Sequence, residues 1–319
     1  MMTNKKHEKG MALLLVLIIV TLLTSILMEL SYSTLIEQRL TETFRDSTRA
    51  YFLARGGITA GQTLVSSDKN EYDAPTESWG SGIANYPVGE GFISLAIEDL
   101  GGKLALNSLV VGNNPQAVVI DRFYRLLSEL EVDEPAELTA AVIDWLDSGD
   151  TPYQQVQTDG QELTVSGAEN IYYQSLATPY ACKNGPMESL EELLLVKGFT
   201  EDVFNIVSPY LSANGTKLIN INTATSQVLT SLSANISAQS IELITDSRSG
   251  NPVKTINDLQ TMLAEDQFSL LKTLSNQGLL GTTSSFYKIT AEAIINDGRC
   301  ALETLFDKTS KSLSYIRTI

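Results

Sequence analysis

The chain opens on a polar segment, MMTNKKHEKG, in which Lys5, Lys6 and Lys9 precede Gly10. From Met11 to Met28 no residue is charged and most are Leu, Ile or Val; the first charge is Glu29. A helix crosses the hydrocarbon core of a bilayer in about 20 apolar residues, so this run predicts a transmembrane helix. The lysines before it hold the amino terminus in the cytoplasm by the positive-inside rule. A cleavable signal peptide would show a small-residue A-x-A site after the run, whereas here it flows into Glu29-Leu-Ser-Tyr-Ser. The run reads as a retained anchor.

Beyond it the pattern becomes amphipathic. Tyr32, Ile36, Leu40, Phe44, Ser47, Tyr51, Ala54, Ile58, Gly61 and Val65 recur every three or four positions, with Glu37, Arg39, Arg45 and Arg49 between them, which is helical periodicity. No proline interrupts it, so one helix is predicted over residues 11–65, about 80 Å long at 1.5 Å per residue. Residues 66–90 are polar and turn-rich and read as a loop. Gly91–Leu109 alternates apolar and polar around Gly101-Gly102, predicting two strands and a tight turn. Ser285–Phe306 repeats that signature around Asn296-Asp297-Gly298, a strong hairpin signal, and Ser312–Ile319 adds a last strand.

Between the strand regions the period is helical. Val118, Val119, Phe123, Leu126, Leu127 and Leu130 form one apolar face, and Leu138, Val142, Ile143, Trp145 and Leu146 another after Pro135. Ser189 with Glu192 makes a capping box, Thr200 caps a further helix, and Thr223, Ser237 and Thr255 (with Asp258) mark more. The class predicted is α+β, in which a small scaffold made from both ends of the chain is interrupted by a large helical insertion.

A short basic leader ending in glycine, an apolar first turn and RAYFLARGGI (Arg49–Ile58) resemble the type IV pilins and pseudopilins. GGKLALNSL (101–109), AVIDWLDSGD (141–150), SGAENIYY (166–173), ESLEELLLVKG (188–198) and ININTATSQVL (219–229) narrow the resemblance to the K-type minor pseudopilins of bacterial type II secretion. It implies a leader over 1–10, cut by the prepilin peptidase between Gly10 and Met11 with methylation of the new terminus. It further implies the long helix over 11–65, a pilin-like scaffold over 66–109 and 283–319, and two inserted helix-hairpin-helix-like modules over 110–217 and 218–282. The implied role is a membrane-anchored tip subunit of the pseudopilus. It would lie in the inner membrane with its bulk in the periplasm, beside I- and J-type minor pseudopilins. Where the family usually carries a glutamate at the fifth mature position this chain has Leu15, a departure typical of the K-type.

Charge and composition narrow the chemistry. Against 38 acidic residues stand 22 lysines and arginines, a formal −16, which repels phosphate backbones. The helix-hairpin-helix-like segments carry Ser-Ala-Asn-Ile (233–236), or Gly198 followed by Glu201 and Asp202, where phosphate-binding modules need glycine-rich hairpins. A competence-type or type IV pilus minor pilin that binds DNA is the alternative these features weigh against. The one histidine, His7, lies in the leader, so the mature chain has no imidazole for catalysis or zinc, and an enzyme is not expected. Asp144, Asp147 and Asp150 stand where an apolar helix breaks, with Glu169 at the end of the following polar loop. Carboxylates in loops suit Ca²⁺, which the resemblance also implies, with Asn170, Asn184 and Glu188 as further candidates. Cys182 and Cys300 are the two cysteines, and a disulfide between them would suit an oxidising compartment.

Processing is the first test. Amino-terminal sequencing of the membrane form should read from Met11, and an intact Met1 or a start near Ser31 would contradict the pilin resemblance.

Overall fold

The structure, a computed structural model, describes residues 8–158 and 160–319; the leader residues Lys5, Lys6 and His7 lie outside them. Helix α1 runs unbroken through Glu8–Ser67, about 90 Å at 1.5 Å per residue. It is long and apolar enough to cross a membrane. From Gly10 to Phe44 every residue is exposed, and burial begins at Asp46. Strands β1 (Ile83–Val88) and β2 (Gly91–Asp99) follow. The insertion holds helices α2 (Ala117–Glu129) and α3 (Pro135–Leu146), the β3–β4 hairpin (Gln155–Thr158 and Gln161–Thr164) and α4 (Asn170–Gln174). It continues with α5 (Glu201–Val207), α6 (Ser226–Ser231), α7 (Ala238–Gly250) and α8 (Glu265–Asn276). Strands β5 (Phe286–Ile295), β6 (Gly298–Asp307) and β7 (Ser312–Thr318) close the chain.

Five strands form one antiparallel sheet in the order β1-β2-β5-β6-β7. The alternation expected for a sheet with one covered face is plain in β5, whose residues are alternately half-buried and buried. Its inner residues Ile289, Ala291 and Ala293 stand opposite Ile97, Leu95 and Ile93 of β2. Onto this face α1 lays Ala50, Ala54, Ile58 and Val65, each at most 1% exposed. Small residues let helix and sheet approach closely: a Cβ at Gly57 would sit 2.5 Å from Ile93 Cδ1 and 2.9 Å from Ala291 Cβ. Asn296, in the left-handed region at φ 49°, turns β5 into β6 as the Asn-Asp-Gly signal predicted.

The insertion has a core of its own, in which Phe123, Leu126, Trp145 and Leu193 join Ile221, Val228 and Leu259. The two inserted modules therefore share one apolar interior. Caps form where the sequence put them at Thr200, which accepts from Val203 N, and at Ser237, which accepts from Ser240 N. The boxes at Ser189 and Thr255 close as well, but over short 3-10 helices, Leu190–Leu195 and Ile256–Thr261.

Four expectations change. Residues 66–90 are not all loop, because β1 lies within them; its residues are all exposed, so no alternation betrays it, and Pro87 suits a sheet edge. Gly101-Gly102 does not return a strand to β2. β2 is already flanked by β1 and β5, so the chain leaves the sheet there; Leu104–Ala105 pairs in parallel with Leu211–Ser212, and Leu104, Leu106 and Leu109 enter the insertion's core. Helix α6 is capped by Thr225, not Thr223. The loop before Glu169 contains the β3–β4 hairpin.

Gly57 and Gly56 test the helix–sheet contact side by side. Gly57→Leu forces methyl groups into Ile93 and Ala291 and should cost about 1–3 kcal/mol in urea unfolding of residues 32–319. Gly56→Ala meets nothing within 4 Å and should gain roughly 0.5–1 kcal/mol as helix propensity alone dictates.

Candidate cation site

Helix α3 buries a face of Leu138, Val142, Ile143 and Leu146, and Asp144 lies among them at 0% exposure. One oxygen, Oδ1, accepts from Tyr153 N at 2.8 Å; Ala168 N and the Lys197 charge also act on the carboxylate, but Oδ2 makes no hydrogen bond of ordinary geometry among the described residues. The helix ends at Asp147, half-buried, whose Oδ1 accepts from Gly149 N at 2.7 Å. Asp150 is exposed at the rim.

The β3–β4 hairpin carries the chain out and back, and its return is fixed by Val165 N donating to Gln154 O and Gly167 N to Tyr153 O. That return lays Gly167 on Asp144: a Cβ there would fall 1.9 Å from Oδ2, so only glycine fits. Glu169 follows at 2% exposure; Asn170 N approaches its carboxylate, but neither oxygen makes a hydrogen bond of ordinary geometry among the described residues. Asn184 takes a left-handed backbone, φ 50°, and its Nδ2 donates to Gly149 O at 3.0 Å. Its Oδ1 is buried and unpartnered among the described residues.

Four buried acceptors thus lack donors: Asp144 Oδ2, both oxygens of Glu169, and Asn184 Oδ1. Leaving a buried polar group unsatisfied costs about 1–3 kcal/mol, more when charged. Burial pushes the carboxyls of Asp144 and Glu169 up to about 7, and the charges of Asp144, Asp147 and Asp150 add to the effect at Glu169. Carboxylate and amide oxygens of this kind are the ligands Ca²⁺ takes, and the charges of Asp144, Asp147 and Asp150 all act on Glu169. The residues fit such an ion. Sulfur does not enter the set, because burial raises the Cys182 thiol to about 11 and its Sγ donates to Asp144 O at 3.7 Å.

A second acidic group, Asp68, Asp73 and Glu77, shows the contrast. There Lys308 Nζ reaches Asp73 at 2.6 Å and Asp68 at 3.3 Å, Ser284 N donates to Asp73 Oδ2, and Glu77 accepts from Asn70, Ala74 N and Trp79 Nε1. That cluster already holds its cation.

Of the residues singled out in the sequence, Asp144 and Glu169 are inside with Asp147 beside them. Asn184, a lesser candidate, is aimed inward by its bond to Gly149. Asn170 is exposed and accepts from Cys182 N at 3.3 Å, while Glu188 is exposed and faces Lys183 at 3.9 Å. Gly10 and Met11 lie exposed on α1. The disulfide is not formed. Cys182 and Cys300 are both free, Cys182 packed in the insertion's core and Cys300 against that of the scaffold, because the segments carrying them fold into different interiors.

A long amino-terminal helix laid on a small antiparallel sheet, with a helical block set between its strands, defines a pilin-like protein carrying an insertion. Two family models, both described as type II secretion system protein K, match residues 102–216 and 219–279. Protein K of Aeromonas hydrophila is 27% identical over 96% of this chain and 94% of its own length. That of Pseudomonas aeruginosa is 23% identical over 93% and 88%. A chain in the crystal structure of the GspK-GspI-GspJ complex from enterotoxigenic Escherichia coli superposes with a TM-score of 0.68 at 16% identity, covering 88% of this chain and 99% of that one. The chain belongs to the type II secretion system protein K family; it is a minor pseudopilin, a structural subunit. The DNA-binding alternative is not favoured.

Calcium should show a distinctive pH dependence. With both carboxyls raised above the ordinary range, protonation favours the metal-free fold at low pH, and that contribution is lost as pH rises through about 7. Calcium needs the ionised groups, so its stabilisation should be larger at pH 8 than at pH 6. At a hundredfold excess over Kd it is worth about 2.7 kcal/mol. Thermal melts with Ca²⁺ or chelator measure it; Glu169→Gln should abolish the difference, while Asp150→Asn should keep most of it.

Proposed function

We propose that this protein occupies the tip of the pseudopilus as a single copy and helps begin its assembly. In this reading it is held in the inner membrane by the apolar half of α1, with sheet and insertion in the periplasm. The prepilin peptidase cuts it between Gly10 and Met11 and methylates the new terminus. I- and J-type minor pseudopilins dock beneath it, as the E. coli relative's co-crystallised partners suggest, and Ca²⁺ occupies the site around Asp144 and Glu169.

One observation carries the tip assignment. In a fibre of packed pilin helices each processed terminus is an ammonium among apolar neighbours, and a buried charge without a partner costs about 3–5 kcal/mol. A subunit that receives a neighbour's terminus needs a carboxylate near its own first turn. Here Leu15 stands at the fifth position after Gly10, and no carboxylate occurs between Met11 and Met28. A subunit with nothing above it needs none. The insertion agrees with this: emerging between two adjacent strands, it adds a second core that a repeating shaft would have to accommodate at every step.

Labelled protein should be found once per fibre end, and Leu15→Glu should leave the sheet and insertion folded as before. Label spaced regularly along the shaft would remove the tip assignment.

A further inference from the structure

We propose that cation binding at the Asp144–Glu169 site tightens the insertion's hold on the last strand of the sheet, through the segment 182–192. This rests on the cation reading above and adds to it a mechanical consequence.

The segment has no helix or strand of its own before Leu190, so bonds to neighbouring groups hold it. Its first part is tied to the cation site: Cys182 N donates to Asn170, Asn184 Nδ2 to Gly149 O, and Gly185 N to Trp145 O at 3.3 Å. Asn184 also contributes one of the four unsatisfied acceptors. Without a cation this end keeps an orphaned amide oxygen, and in the proposal the same oxygen becomes a ligand when the cation binds.

Its second part is gathered by Glu192. One oxygen, Oε1, accepts from Lys183 Nζ at 2.7 Å, Glu188 N at 2.7 Å and Ser189 N at 3.3 Å, and Oε2 accepts from the Trp145 indole N–H at 3.4 Å. Trp145, adjacent to Asp144 in α3, therefore touches the segment twice. Beside Glu192, Glu191 reaches across to Arg317 of β7 at 3.4 Å, and Arg317 also pairs with Glu303 of β6 at 2.8 Å. Glu188 to Glu191 form one wall of a cavity of about 340 Å³ between insertion and sheet, with Lys288, Glu303 and Arg317 on the other. Hydrogen bonds and packed side chains of this kind carry coupling between sites. Here they run from Asp144 and Trp145 in α3, through Glu192 and Glu191, to Arg317 of β7.

The test is hydrogen–deuterium exchange of the full chain in detergent, with Ca²⁺ or with chelator. Calcium should slow exchange several-fold over residues 182–192 and also in β7. Glu191→Ala, which removes an exposed side chain and its ion pair with Arg317, should keep the protection of 182–188 and lose that of β7. Protection confined to 144–188 in the unaltered chain would overturn the coupling and leave the cation site standing. Equal protection of β7 in Glu191→Ala would overturn the route. No calcium effect anywhere would remove the cation site and the coupling together.

Discussion

Everything beyond the amino-terminal helix depends on the pairing of β2 with β5. Their register runs from Gly91 opposite Ile295 to Asp99 opposite Tyr287, so the chain leaves the sheet and re-enters it at neighbouring points. An insertion with adjoining ends need not stretch across the scaffold, and it can collapse on its own apolar residues. Loop-closure entropy grows only slowly with length, so a large block at this point costs little more than a short one. The scaffold keeps its sheet and α1 its contact with it.

What fixes the angle between the two bodies is a buried polar knot at that point. Asn220 Nδ2 lies 2.9–3.0 Å from Asp73 O, Asp99 Oδ2 and Ser284 Oγ. Asp99 also accepts from Gly101 N at 2.7 Å and from the hydroxyls of Thr223 and Ser284. Burial raises the Asp99 carboxyl, and these donors pull it back. A network in which each acceptor is met rigidifies a joint. Arg122, buried in α2, ties the insertion's two modules by donating to Lys217 O and Leu279 O.

The joint and the cation site are opposite solutions to burying carboxylate. At Asp99 the protein supplies the donors from its own chain, and at Asp73 it supplies Lys308. Around Asp144 and Glu169 it supplies fewer donors than buried acceptors, Tyr153 N meeting only one oxygen of Asp144, an arrangement that suits a hard cation from outside. This distinction, more than the density of acidic residues, separates a structural cluster from a candidate binding site in a chain whose formal charge is −16.

The sequence by itself determined what depends on a few neighbouring residues. The charge-free run and the periodicity to Val65 are read along one unbroken stretch, and the Asn296-Asp297-Gly298 turn, the caps at Thr200 and Ser237 and the boxes at Ser189 and Thr255 each act within about one turn of chain. Asp144 and Glu169 were legible as oxygen donors flanking a helix break. Tertiary structure decided what rests on partners far away. Strand β1 exists because β2 offers an edge, Gly101-Gly102 leads out of the sheet because both neighbours of β2 are taken, and Thr223 is spent on Asp99 instead of capping α6. Asn184 is held beside the helix break through its bond to Gly149, 35 positions away. The two cysteines part company for the same reason: which core a segment joins is set by complementary apolar faces across the whole chain, and no local pattern encodes that choice.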